Sequence, residues 1–208
     1  MLKSSQNNIH GNRQVKNHYR FVLATLLVII ISAWAAGVSH SHPAVIDPIT
    51  QESINAVQAS LRQELTPALV VAKVLAGCRL INQQGPEAFH RFQGKTSPFI
   101  FGGTYIFAFR LRDYVMVINP VMPQVIGKSF LYFRDVKGKF YFAEFGKVAI
   151  ENGSGWVEYY WPRPGEKEPT QKVSYIKLCR FKNEAYVVGS GIYNLSKKEL
   201  DLLPNILP

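Results

Sequence analysis

At Tyr105 the hydrophobic period of the chain changes, and that change limits the fold more than any other feature. Upstream, apolar residues recur at helical spacing: Ile54, Val57 and Leu61, then Leu69, Val70, Val74, Leu75 and Cys78. Downstream they come in short runs rich in aromatic and β-branched residues, at Tyr105–Phe109, Tyr114–Ile118, Trp156–Trp161, Val173–Phe181 and Tyr186–Ile192. Helices followed by strands describe an α+β domain. One stretch interrupts the strands. Phe140–Ile150 has mixed helical spacing, ended by Asn152-Gly153-Ser154-Gly155, and predicts a connecting helix.

Local punctuation fits this order. Thr50 is placed to cap a first helix, and Thr66-Pro67 interrupts the helical pattern, giving two helices or one kinked one. Gly85-Pro86 breaks it again before a short helical stretch at Glu87–Phe92. The first two β runs flank Arg110–Asp113 and read as a hairpin. Asn119-Pro120-Val121-Met122-Pro123 cannot continue a central strand, because each Pro lacks the ladder N–H, so the chain leaves the sheet by a crossover loop. Asp135–Gly138 then makes a turn.

Ahead of this domain lies Phe21–Ala36, an unbroken run of apolar and small residues after Lys16 and Arg20. Positive charge before such a run directs the downstream chain outward, so residues from about Ser39 are expected in the periplasm or exterior. The run is long for a signal peptide and short for a membrane span, and Ala33-Trp34-Ala35 offers a cleavage pattern, so release and retention in the inner membrane both remain open. The organisation expected is a basic, polar segment at 1–20, a signal peptide or anchor at 21–38, a linker at 39–49, the domain at 50–195 and a tail at 196–208.

The formal net charge of +10 is partly due to Lys3, Arg13, Lys16 and Arg20 ahead of the apolar run, and the rest is spread without a dense stripe. Nucleic-acid binding is therefore not expected. An apolar content of 47% and an aromatic content of 12% exclude a disordered chain. In an oxidising compartment Cys78 and Cys179 fit either a bridge or two buried thiols that pack as small apolar groups. No cysteine spacing suggests zinc, and no nucleophile elbow, His-Glu-x-x-His motif, phosphate loop or Rossmann glycine pattern is present. No enzyme, metal or cofactor is expected.

Three linked motifs carry a family resemblance: Asn152-Gly153-Ser154-Gly155-Trp156-Val157-Glu158-Tyr159-Tyr160-Trp161-Pro162, then Lys172-Val173-Ser174-Tyr175, then Val188-Gly189-Ser190-Gly191-Ile192-Tyr193. In order and spacing they resemble the single Cache domain of type 2. Asn119-Pro120, Pro123, Gly127-Lys128, Asp135 and Gly138-Lys139 are similar to that family's crossover. The resemblance implies a PAS-like five-stranded antiparallel sheet with a long N-terminal helix packed against it. It also implies periplasmic sensing and a pocket for small organic ligands, often carboxylates.

The residues suit such a ligand. Tyr159 and Trp161, two apart on a strand, share one face, while Tyr160 takes the other. Tyr105, Phe107 and Phe109 share a face in the same way. Aromatic bodies with polar tips match a short carbon chain with one charged end. Lys172, which matches a family position, and Tyr175 would supply donors, with Arg110 or Arg112 as further ones. Lys172 also fits a solvated surface lysine. Asn119 stands where many relatives have a histidine beside Pro120, which removes a potential cation, and Met122 adds an apolar floor. The ligand-binding set expected is Tyr105, Phe107, Asn119, Met122, Tyr159, Trp161, Lys172 and Tyr175.

Two functions fit these features: a sensor-type module that binds a small carboxylate, or a ligand-free PAS-like module that docks a membrane or periplasmic partner. With no transmitter after Tyr193, either would report to another protein, such as a membrane sensor or transporter.

Overall fold

The computed structural model describes residues 47–202. The segment at 21–38 lies outside the described residues, as do most of the linker and the end of the tail. No helix of the described residues is long and apolar enough to cross a membrane.

The first helix, α1 (Pro48–Ser60), is capped by Asp47 and not by Thr50. Asp47 accepts from the Thr50 N–H at 3.0 Å, and Thr50 lies buried inside the first turn. The acidic side chain sits one residue before Pro48, whose missing N–H costs nothing at a helix start. Thr66 caps α2 (Pro67–Gln84) as expected, accepting from the Leu69 N–H at 3.2 Å. The helical region is thus two helices. Gly85 ends α2 at φ 60°, and a Cβ there would lie 2.2 Å from the Phe181 ring, so both backbone and space require glycine. A 3₁₀ segment, Gly85–Phe92, follows.

The β region forms β1 (Ile100–Phe101), β2 (Thr104–Tyr105), β3 (Phe107–Arg110) and β4 (Val115–Ile118), followed after α3 (Tyr141–Asn152) by β5 (Ser154–Pro162), β6 (Pro169–Phe181) and β7 (Glu184–Tyr193). A short helix, α4 (Lys197–Asp201), ends the described chain with a capping box between Ser196 and Glu199. Five strands make one antiparallel sheet in the order β4-β3-β7-β6-β5. The expected run Tyr105–Phe109 is split, because Gly102 and Gly103, both at positive φ, fold Thr104 and Tyr105 back onto Ile100 and Phe101 as a separate ribbon. The domain is α+β and PAS-like.

Both faces of the sheet are covered. On one, Val70, Val74, Cys78 and Ile81 of α2 pack on Ile106, Ala108, Tyr175 and Val188. On the other, Tyr141, Phe142, Phe145 and Ala149 of α3 pack on Phe107, Phe109, Val157, Tyr159, Trp161 and Ile176. Strand alternation sends neighbouring residues to different cores: Ala108 to the first, Phe107 and Phe109 to the second. A disulfide joins Cys78 of α2 to Cys179 of β6, so of the two readings open in the sequence the bridge is the one formed.

Residues 126–140 run from one sheet edge to the other. At the β4 end the Met116 N–H donates to Lys128 O and the Phe130 N–H to Tyr114 O, each at 3.0 Å. At the β5 end Asp135 Oδ2 accepts from the Tyr160 N–H at 3.1 Å, and Lys139 Nζ donates to Glu158 O at 2.5 Å. The strap occupies edge groups that would otherwise be open to pairing.

Candidate ligand-binding site

Lys172 lies on β6 between Tyr159 on β5 and Tyr193 on β7, directly opposite both in register. Its side chain runs over β7 beside Gly191, where an added Cβ would meet Lys172 Cε and Val173 O, each at 2.7 Å. The glycine is what lets the lysine stem cross at that height. Lys172 is 0% exposed and forms no ion pair among the described residues. Its Nζ donates to Tyr193 Oη at 3.2 Å and sits 4.5 Å above the Tyr193 ring centroid, 5.0 Å above that of Tyr105 and 5.9 Å above that of Phe107. Ring faces attract a cation, but they do not replace a carboxylate or water. Burial pushes the Lys172 pKa down from 10.5 to about 7.

Phenols and an indole complete the surround. Trp161 Nε1 donates to Tyr105 Oη at 3.2 Å, Tyr159 Oη and Ser174 Oγ pair at 3.1 Å, and Tyr193 Oη donates to Pro162 O at 3.0 Å. Burial raises the pKa of Tyr105 to about 12, against the partial offset of donors on Trp161 and Asn119. Burial likewise raises those of Tyr159 and Tyr193, so these groups remain neutral hydroxyls. Asn119 is buried where the chain leaves the sheet, and its Oδ1 accepts from the N–H groups of Val121 at 3.3 Å and Met122 at 3.0 Å. That turn follows from Pro120, which stops the ladder and frees Asn119 to fold over its own backbone.

Six of the eight residues expected from sequence meet around one cavity: Tyr105, Phe107, Asn119, Tyr159, Trp161 and Lys172. Met122 is half-buried against the same core without lining the cavity. Tyr175, three residues after Lys172, points through the opposite face and packs on Trp156 at 5.3 Å. It lies outside the cavity. Arg110 pairs with Asp113 at 2.6 Å and Arg112 with Glu184 at 2.5 Å, both away from it. Met116, Tyr141, Phe142 and Phe145 complete the wall. The three on α3 recur as i, i+1 and i+4, an aromatic helix face legible in the sequence once that helix is taken as a wall and not as a connection.

The space left unfilled is only about 10 Å³, near the room needed for one water. Phe133 packs beside two wall residues, its ring 6.2 Å from Trp161 and 6.1 Å from Tyr141. A buried lysine, several neutral donors and apolar walls have the chemistry to hold an anion of few atoms. They hold no group positioned for bond-making or bond-breaking chemistry.

This arrangement is an α+β, PAS-like domain with an interior cavity lined by aromatic residues and one buried lysine, and comparison with known proteins gives its family. Residues 92–199, which carry all seven strands and the cavity wall, match the dCache_2 model, a Cache domain; the chain belongs to the Cache domain family. Cache domains are sensor modules, and the chain is not an enzyme. The methyl-accepting chemotaxis protein McpP of Pseudomonas putida is 37% identical over 78 residues, which are 38% of this chain and 14% of that protein. A solved periplasmic sensor domain of a chemotaxis protein is 29% identical with a TM-score of 0.49, the match covering 66% of this chain and 95% of that one. A Cache chemosensory domain solved for carboxylic acid recognition is 22% identical with a TM-score of 0.45, covering 70% and 93%.

Proposed function

We propose that the chain is an extracytoplasmic sensor domain that binds a small carboxylate on Lys172. The observation that carries this reading is a fully buried ammonium with one phenol acceptor and no carboxylate partner among the described residues. Removing a lysine from water without a counter-ion is costly, and an anionic ligand would offset that cost with a charge-assisted hydrogen bond. The walls set by Phe107, Tyr159 and Trp161 would take a short carbon chain. The disulfide and the basic-then-apolar N-terminal pattern support a compartment outside the cytoplasm. The identity with McpP, a chemotaxis protein, supports a role in sensing.

The test is a thermal-shift series at pH 6.5 with linear mono- and dicarboxylates of two to five carbons. A ligand at a hundredfold excess over its Kd adds about 2.7 kcal/mol and raises Tm. The expected result is a rise with at least one short carboxylate in the wild type, and none in Lys172→Met. A second reading, a ligand-free module that docks a partner, is favoured by the nearly filled cavity. Failure of every carboxylate to raise Tm would leave that second reading standing.

A further inference from the structure

Tyr141 is 1% exposed, lines the cavity, and its hydroxyl has no hydrogen-bond partner among the described residues. Its ring is fixed: it stacks on Tyr159 at 4.4 Å and 14°, and meets Phe145 and Trp161 edge-on at 5.6 and 6.2 Å. A hydroxyl held this firmly in an apolar surround without a partner is destabilising, and buried polar groups almost always have one. Tyr105 and Tyr159 line the same cavity. So does Lys172, whose Nζ sits 5.0 Å above the Tyr105 ring centroid.

Resting on the carboxylate reading above, the geometry points to Tyr141 as a specificity-determining residue: its hydroxyl donates to the ligand carboxylate while Lys172 holds the charge. The two donors come from different layers, α3 and β6. The bound ligand would therefore tie the helix to the sheet, and a ligand lacking an acceptor oxygen would leave the hydroxyl unpaired. An amine or a plain alkane chain is excluded on both counts.

The experiment compares wild type, Tyr141→Phe and Lys172→Met in calorimetric titrations with propanoate, together with the Tm of each ligand-free protein. Tyr141→Phe deletes one oxygen and keeps the stacked ring. The expected result is an unchanged or higher ligand-free Tm with affinity for propanoate reduced about tenfold or more. Wild-type affinity in Tyr141→Phe overturns this contact while leaving the carboxylate reading intact. A lower ligand-free Tm also overturns it, since the hydroxyl would then have a structural partner. Absence of propanoate binding in wild type overturns this contact, and absence of binding by every linear mono- and dicarboxylate of two to five carbons overturns the carboxylate reading as well.

Discussion

A lysine ammonium buried without a carboxylate is paid for by the rest of the fold, and at Lys172 this has a pH signature. In the folded, ligand-free protein Lys172 loses its proton near pH 7, whereas in the unfolded chain it keeps the proton to its ordinary 10.5. Between those values the unfolded state binds more protons, so stability must rise with pH across that window. Urea denaturation at pH 6, 7.5 and 9 should show that component in wild type, while Lys172→Met should lack it and be more stable at pH 6. A carboxylate prefers the charged lysine, so its affinity should fall as pH rises above about 7. The sequence placed Lys172 at the site through its family position, but not its burial. Burial depends on Gly191, on a strand that pairs with it only in the folded sheet. Tyr141 was illegible for a related reason: an orphan hydroxyl is defined by what fails to surround it.

The elements each contribute one device to the site. On β7, Gly189 and Gly191 face the cavity side, where a Cβ would lie 2.5 Å from the Phe107 ring and 2.7 Å from the Lys172 stem. Gly191→Ala should lower stability by about 1–3 kcal/mol through overpacking, measured by urea denaturation, and should also weaken carboxylate binding because the lysine is displaced. The strap depends on Asp135, which accepts from the N–H groups of Lys137, Lys139 and Tyr160 at 2.9, 3.0 and 3.1 Å. Asp135→Ala should speed hydrogen exchange at the Tyr160 amide about tenfold or more. An unchanged rate would mean that the strap is held by its aromatic packing alone. Strand periodicity, the hairpin, the proline-enforced crossover and the α3 stop at Gly153 could all be read from sequence, because each rests on neighbours in the chain. The cap at Asp47 and the separate ribbon at Thr104-Tyr105 could not, because Thr50 and Tyr105 each satisfy the local pattern equally well and only tertiary packing decides between the alternatives.

At the scale of the whole domain, the sheet separates two cores with different duties. The α2 side holds the disulfide and Tyr175; the α3 side holds the cavity. Replacing both Cys78 and Cys179 by serine should therefore cost about 2–5 kcal/mol of stability while leaving carboxylate affinity within about twofold. Denaturation and titration on the same variant check both halves of that expectation. A large loss of affinity would mean that the cores are coupled through β6. The proposed sensing role rests on Lys172 taking up an anion, and calorimetric titration of propanoate into wild type at pH 6.5 and 9 tests that most directly. One-to-one binding is expected at pH 6.5, with weaker binding at pH 9 and proton uptake near neutrality as the bound carboxylate restores the lysine's charge. Binding of equal strength at both pH values, with no proton taken up, would contradict it.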